Sequence, residues 1–160
     1  MAPREDTLQR PTTIPWPPIL LVAVVAASAL LIRIYPLVWP GLDDANARFI
    51  GLGIGIVGLL LIIWAARTMW RHKTTVLPNR AVSDLVTDGP YRWHRNPIYL
   101  GDALVLLGVA EMTKNIWFAI LVPVFMMLIT WLAILPEERH LDAKFGERWR
   151  SYRDSTRRWL

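Results

Sequence analysis

The chain contains no cysteine, which excludes disulfides, thiolate catalysis and cysteine metal sites. It has only three histidines, His72, His94 and His140, and no two sit at metal-ligand spacing, so no metal is expected. No small-x-small cleavage site follows the first apolar block, which does not read as a signal peptide. The formal net charge of +5 calls for no nucleic acid; membrane orientation and contact with anionic lipid account for it. A length of 160 residues suggests one domain.

What the chain has is apolar sequence, 54% of the total, gathered in blocks. Residues 14–32 are nearly all apolar, and 49–66 carry no charge. Asp102 alone interrupts 97–110, and Thr130 alone interrupts 116–136. A helix that crosses a bilayer needs roughly 20 such residues. The second and fourth blocks meet that length, and the first does so with Trp16 and Trp39 marking its interfaces. The third is short, so it must extend into polar sequence or sit off-centre. The expected fold is all-α, an integral membrane bundle of about four transmembrane helices. A C-terminal amphipathic surface helix follows, with Leu141, Phe145 and Trp149 recurring every four residues and Gly146 loosening it midway. This makes one structural domain. Residues 1–66 hold the N-terminal tail and first two helices; residues 67–160 hold the polar loop, the last two helices and the surface helix.

Fifteen of the 18 Lys and Arg lie in the N-terminal tail, the loop after the second block, or the C-terminal tail. The other three, Arg33, Arg48 and Lys114, lie at the opposite helix ends. The positive-inside rule then puts both termini in the cytoplasm.

The second block contains Gly53-Ile54-Gly55-Ile56-Val57-Gly58, which fits G-x-G-x-x-G. The dinucleotide fingerprint needs a preceding strand, and a membrane block supplies none. Gly51 and Gly55 instead form a small-xxx-small pair for close helix packing.

Two polar clusters carry the chemistry. Arg92, Trp93, His94 and Arg95 crowd the start of the third block, where Asn96-Pro97 reads as an N-cap and first helical residue. A helix start of that kind seats a carboxylate or phosphate. The fourth block ends at Pro136, and Glu137-Glu138 follows as the first turn of a new helix. Both starts face the cytoplasm. Basic and aromatic groups facing two carboxylates suit a small ligand of mixed charge, and the 67–91 loop is placed to cover it. Asp102, one turn inside the membrane, is a functional candidate because intramembrane carboxylates are rarely idle.

The run Leu85-Val86-Thr87-Asp88-Gly89-Pro90-Tyr91-Arg92, then Arg95-Asn96-Pro97-Ile98-Tyr99-Leu100-Gly101, resembles the isoprenylcysteine carboxyl methyltransferase and phospholipid methyltransferase superfamily. So do Glu137-Glu138-Arg139-His140-Leu141, Phe145-Gly146 and Tyr152, and upstream Thr74-Thr75-Val76-Leu77-Pro78. The resemblance implies a methyltransferase of the bacterial inner membrane that uses S-adenosyl-L-methionine on a lipophilic or membrane-associated acceptor, a carboxylate, amine or thiol. Carried over position by position, the cofactor contacts are Leu85, Val86, Tyr91, Asn96, Pro97, Ile98, Tyr99 and Glu137. Arg92 or Arg95 would take the cofactor carboxylate, and the tyrosine rings would face its cationic sulfur. Arg95, Glu138 and Asp102 are the catalytic candidates. Two departures stand out. Asn96 replaces the commoner His and has no acid–base role near neutral pH. Ala133 stands four residues before the first Glu, where prenylcysteine enzymes carry a substrate-binding Arg. Two other readings compete: a nicotinamide-dependent membrane reductase, and a membrane protein without catalysis.

Overall fold

The computed structural model describes residues 14–72 and 84–159, and these are helical throughout apart from turns and one isolated bridge. The expected upstream motif 74–78, within residues 73–83 of the covering loop, lies outside the described residues. Helix α1 spans Trp16–Ile34, α2 Ala45–Arg71, α3 Pro97–Thr113, α4 Ile116–Ile129, α5 Leu135–Phe145 and α6 Glu147–Ser155. A 3₁₀ turn at Gly89–Arg92 precedes α3, and a π-helical turn at Thr130–Ile134 joins α4 to α5.

Local chemistry explains most of these limits. Asp44 caps α2 by accepting from the Ala47 amide at 2.8 Å. Lys114 adopts φ 56° to end α3, and Asn115 at once caps α4 through the Trp117 amide at 3.1 Å. The same Asn115 donates from Nδ2 to the Ser28 carbonyl at 2.9 Å, which ties the α3–α4 turn to α1. The main core is built by Leu20 and Val24 of α1, Leu106 and Ala110 of α3, and Phe125 and Ile129 of α4.

Helix α2 joins the bundle differently. Its buried positions are Gly51, Gly58, Ala65 and Thr68, and its large side chains, such as Phe49, Ile56 and Leu60, point outward. A Cβ on Gly108 of α3 would lie 2.6 Å from the Gly55 nitrogen, and one on Gly58 would lie 2.6 Å from the Gly101 carbonyl. Backbone therefore lies on backbone, as small residues permit in membranes. The expected pair, Gly51 and Gly55, both lie against Gly108, and Gly58 extends the contact to Gly101. Gly53 faces open space, while Gly55 and Gly58 of the same motif lie against α3 inside a long helix with no preceding strand.

Among the described residues, three helical stretches are long and apolar enough to cross a membrane: Trp16–Ile34, Ala45–Arg71 and Ile116–Phe145. With 17 residues α3 falls short of that length and is packed between α2 and α4. A further difference lies at Pro136. The sequence suggests a stop there and a new helix start, but the chain stays helical from 116 to 145. A proline ring clashes with the carbonyl four residues back in an ordinary α-helix. The π turn immediately before α5 widens the helix there and lets Pro136 pass. Glu137 and Glu138 thus sit in a continuous helix and not at a free helix end. The apolar face of α5 and α6 also differs from expectation. Leu141 and Trp149 are buried with Leu85, Phe145 and Tyr152, inside the protein and not on a lipid surface.

Valine in place of Gly108 should force α2 and α3 apart and cost about 1–3 kcal/mol as overpacking. Gly53→Ala should be neutral or stabilising by up to about 1 kcal/mol. Thermal melts of the detergent-solubilised variants check both.

Candidate functional site

The end of α2 and the start of α3 are held together, and residues 84–96 fold over their junction. Gly89 enters its 3₁₀ turn at φ +56°, and a Cβ there would lie 2.7 Å from Thr68 Oγ1. Only glycine meets both demands. The turn buries Tyr91 against Ala65 and Val86, and Ile98 packs between that cluster and the main core. Leu85 is oriented by its own neighbour, its amide donating to Asp84 Oδ1 at 2.9 Å.

These pieces frame a small, partly open cleft with a cavity volume of about 60 Å³. Leu85, Val86, Tyr91 and Asn96 line one side. Met69 of α2 and Ile134 of the π turn add apolar surface. Glu137, Glu138, Leu141, Trp149 and Tyr152 close the other side. Tyr152 spans the cleft, its hydroxyl donating to the Tyr91 carbonyl at 2.7 Å. Burial pushes the Tyr152 phenol up to about 12. Burial also raises Tyr91, and the nearby charge of Glu137 raises it further. Both remain protonated donors at neutral pH.

The two carboxylates differ sharply. Arg158 clamps Glu138 with two donors, Nε to Oε1 at 3.0 Å and Nη2 to Oε2 at 2.6 Å. Arg95 Nε lies 3.5 Å from the same carboxylate. Glu137 has no hydrogen-bond or ion-pair partner among the described residues, yet it lines the cleft. Glu137 is therefore the acidic group open to a ligand.

Arg95 is also heavily engaged. Its Nη1 donates to the carbonyls of Arg153 and Thr156, both at 2.6 Å. Burial lowers the Arg95 pKa, and the Glu138 charge opposes that shift. Asn96 departs from its expected role. It precedes α3 but makes no side-chain cap; its Nδ2 donates instead to the Arg158 carbonyl at 3.1 Å. Of the other expected site residues, Pro97 and Tyr99 are buried beside the cleft and Arg92 is exposed outside its lining. Asp102 is off the lining too, half-buried one turn deeper on the face of α3 that carries Ile98. It has no hydrogen-bond partner among the described residues.

Sequence reasoning missed Met69, Asp84, Ile134 and Arg158. Met69 and Ile134 look like any membrane-helix residue, and Arg158 looks like one more cation in a basic tail.

The family model for phospholipid methyltransferase matches residues 47–148. The chain belongs to that family. The match covers nearly all of α2, the cleft segment, α3, α4 and α5, so every cleft-lining residue except Trp149 and Tyr152 of α6 falls within it. An uncharacterized protein of Haemophilus influenzae is 35% identical over 63 residues, 39% of this chain and 79% of its own length. No solved structure matches. As a member of a methyltransferase family with membrane-length helices, the protein is an integral membrane protein, and among its described residues no group of acids and histidines is arranged to hold a metal ion.

At the cleft mouth His72 bridges two carboxylates, with Nε2 2.9 Å from Asp88 Oδ1 and Nδ1 3.5 Å from Asp84 Oδ2. The hydrogen bond to Asp88 raises the His72 pKa above 6.5, and the charges of both aspartates add to it. The clasp therefore stabilises the fold fully below about pH 6.5 and loses that contribution as pH rises through the higher folded value. An NMR titration should place the His72 midpoint above 6.5, and Asp88→Asn should lower it.

Proposed function

We propose that the protein is an integral-membrane methyltransferase that binds S-adenosylmethionine in this cytoplasmic-facing cleft and methylates a lipophilic acceptor. One observation carries the reading. Three separated stretches, 85–91, 96 and 137–138, converge on one cleft beside apolar walls and a carboxylate without a partner. A mixed-charge, partly apolar ligand fits those groups. S-adenosylmethionine supplies, when bound, a methyl on a positively charged sulfur that an oxygen, nitrogen or sulfur lone pair displaces without a metal.

The chain's residues then have distinct tasks. Leu85, Val86, Met69 and Ile134 form the apolar bed and exclude water, with Pro97 and Ile98 packed behind it. Glu137 takes the cofactor's hydroxyls or amine. Tyr91 and Tyr99 offer ring faces to positive charge. The donors of Arg95 go largely to backbone carbonyls and Glu138, so this residue braces the site. Exposed Arg92, just outside the cleft, is the cation left for the cofactor carboxylate. Asn96 ties the cleft to the segment after α6.

The acceptor approaches from the bilayer. Asp102 is the group that meets it there, since it lies on the membrane side of Ile98 and has no partner to satisfy. A carboxylate at that position suits an amine acceptor, which it orients and from which it accepts a proton. Ala133 is 1% exposed and offers no cation for an acidic acceptor. In this reading α3 is the fourth crossing, residues 67–160 form the functional half, and both termini face the cytoplasm of a bacterial inner membrane.

Calorimetry on the purified chain should show binding of S-adenosylmethionine and none of NADPH. Glu137→Gln should weaken binding at least about tenfold, or about 1.4 kcal/mol. Binding of NADPH alone, or an unchanged affinity in the variant, contradicts the proposal.

A further inference from the structure

The chain does not leave the molecule after α6. Residues 156–159 turn back over the segment that leads into α3. The Arg157 amide donates to the Trp93 carbonyl at 3.2 Å, and the Arg95 amide donates to the Arg157 carbonyl at 2.8 Å. This is a short parallel bridge between His94 and Arg157. The side chains of Arg95 and Asn96 catch the carbonyls of Thr156 and Arg158 in the same stretch, and Arg95 also that of Arg153 in α6. Trp159 packs onto the main core. The strap is thus held along its length, and its charged contact is the two-pronged pair of Arg158 with Glu138.

That pair answers an electrostatic problem. Glu137 and Glu138 are neighbours in one cleft, and two unneutralised carboxylates in a poorly hydrated place repel each other. Arg95 cannot neutralise Glu138 alone. It approaches only to 3.5 Å, and its Nη1 is committed to two carbonyls. A basic residue kept only for membrane orientation would reach outward into lipid headgroups or water. Arg158 instead lies half-buried with both oxygens of one glutamate in its fork. Such planar, paired recognition is specific to arginine.

We propose that Arg158 is a positioning residue of the cleft. By occupying both oxygens of Glu138 it withdraws that carboxylate from ligand contact, leaves Glu137 as the acid the ligand meets, and pins the strap over Arg95 and Asn96. The ligand part rests on the cofactor reading above; the pinning part does not. Glu138 thereby becomes an anchor rather than a group that moves protons.

Two measurements on the full chain in lipid nanodiscs separate these parts. Trypsin cleavage after Arg157 and Arg158 reads the strap without any ligand. Glu138→Gln keeps every tryptic site and should speed that cleavage about tenfold; cleavage at the wild-type rate overturns the latch. Calorimetry with S-adenosylmethionine reads the cleft. Arg158→Ala should weaken binding about tenfold, and Arg158→Lys should remain weak because an ammonium lacks the fork. The exchanged pair Glu138→Arg with Arg158→Glu should return affinity to within about threefold of wild type. An unchanged affinity in Arg158→Ala, or a folded exchanged pair that does not recover, overturns the positioning role. Wild-type protein that binds no S-adenosylmethionine while Glu138→Gln still frees the strap overturns the cofactor reading and leaves the latch standing.

Discussion

The arrangement depends on one contact, the backbone approach of α2 to α3. Glycines at 51, 55 and 58 meet glycines at 101 and 108 with no room for a Cβ at most of these points. Helices in lipid gain little from burying apolar side chains against each other, so close packing must hold them. The contact continues beyond the helices, where Thr68 lies against Gly89. It therefore sets how the end of α2, the 3₁₀ turn and the start of α3 stand together. Those three elements supply Met69, Tyr91 and Asn96 to the cleft. If α2 were displaced, the cleft would lose a wall.

A second constraint is charge. A polar site at a membrane face gathers groups that water would otherwise solvate, and each needs a partner or a task. The chain neutralises Glu138 with Arg158 and Arg95 and spends Asn96 and the rest of Arg95 on strap carbonyls. Among the described carboxylates at this end, Glu137 inside the cleft and Asp102 one turn deeper are left without a hydrogen-bond or ion-pair partner. The open groups, not the paired ones, are where ligands are expected. The proposed division follows: cofactor at Glu137, acceptor at Asp102.

Much of this was legible in the sequence, and the exceptions have physical causes. Apolar block lengths and the local runs around Tyr91, Asn96 and Glu137 announced an all-helical membrane chain and the residues of one cleft, because each is a short-range signal. The helix through Pro136 was not legible, since a proline followed by acids reads as a start and a π turn leaves no mark in composition. The burial of Leu141 and Trp149 was misread because an amphipathic stripe does not say what it faces; here it faces Leu85. Asn96 was read as a cap from its residue type, whereas its amide group is drawn 62 residues along the chain to the Arg158 carbonyl. Long-range pairs such as Arg158 with Glu138 have no spacing rule that reveals them.

The central claim is that the cleft delivers a methyl group to an acceptor held by the bilayer. Purified protein incubated with methyl-labelled S-adenosylmethionine and a total membrane lipid extract tests it most directly, with products separated by mass spectrometry. The account predicts label in a lipophilic product that carries an amine, and loss of that label in Asp102→Asn with cofactor still bound. Cofactor binding without label in any lipid, or an Asp102→Asn enzyme as active as wild type, would contradict it.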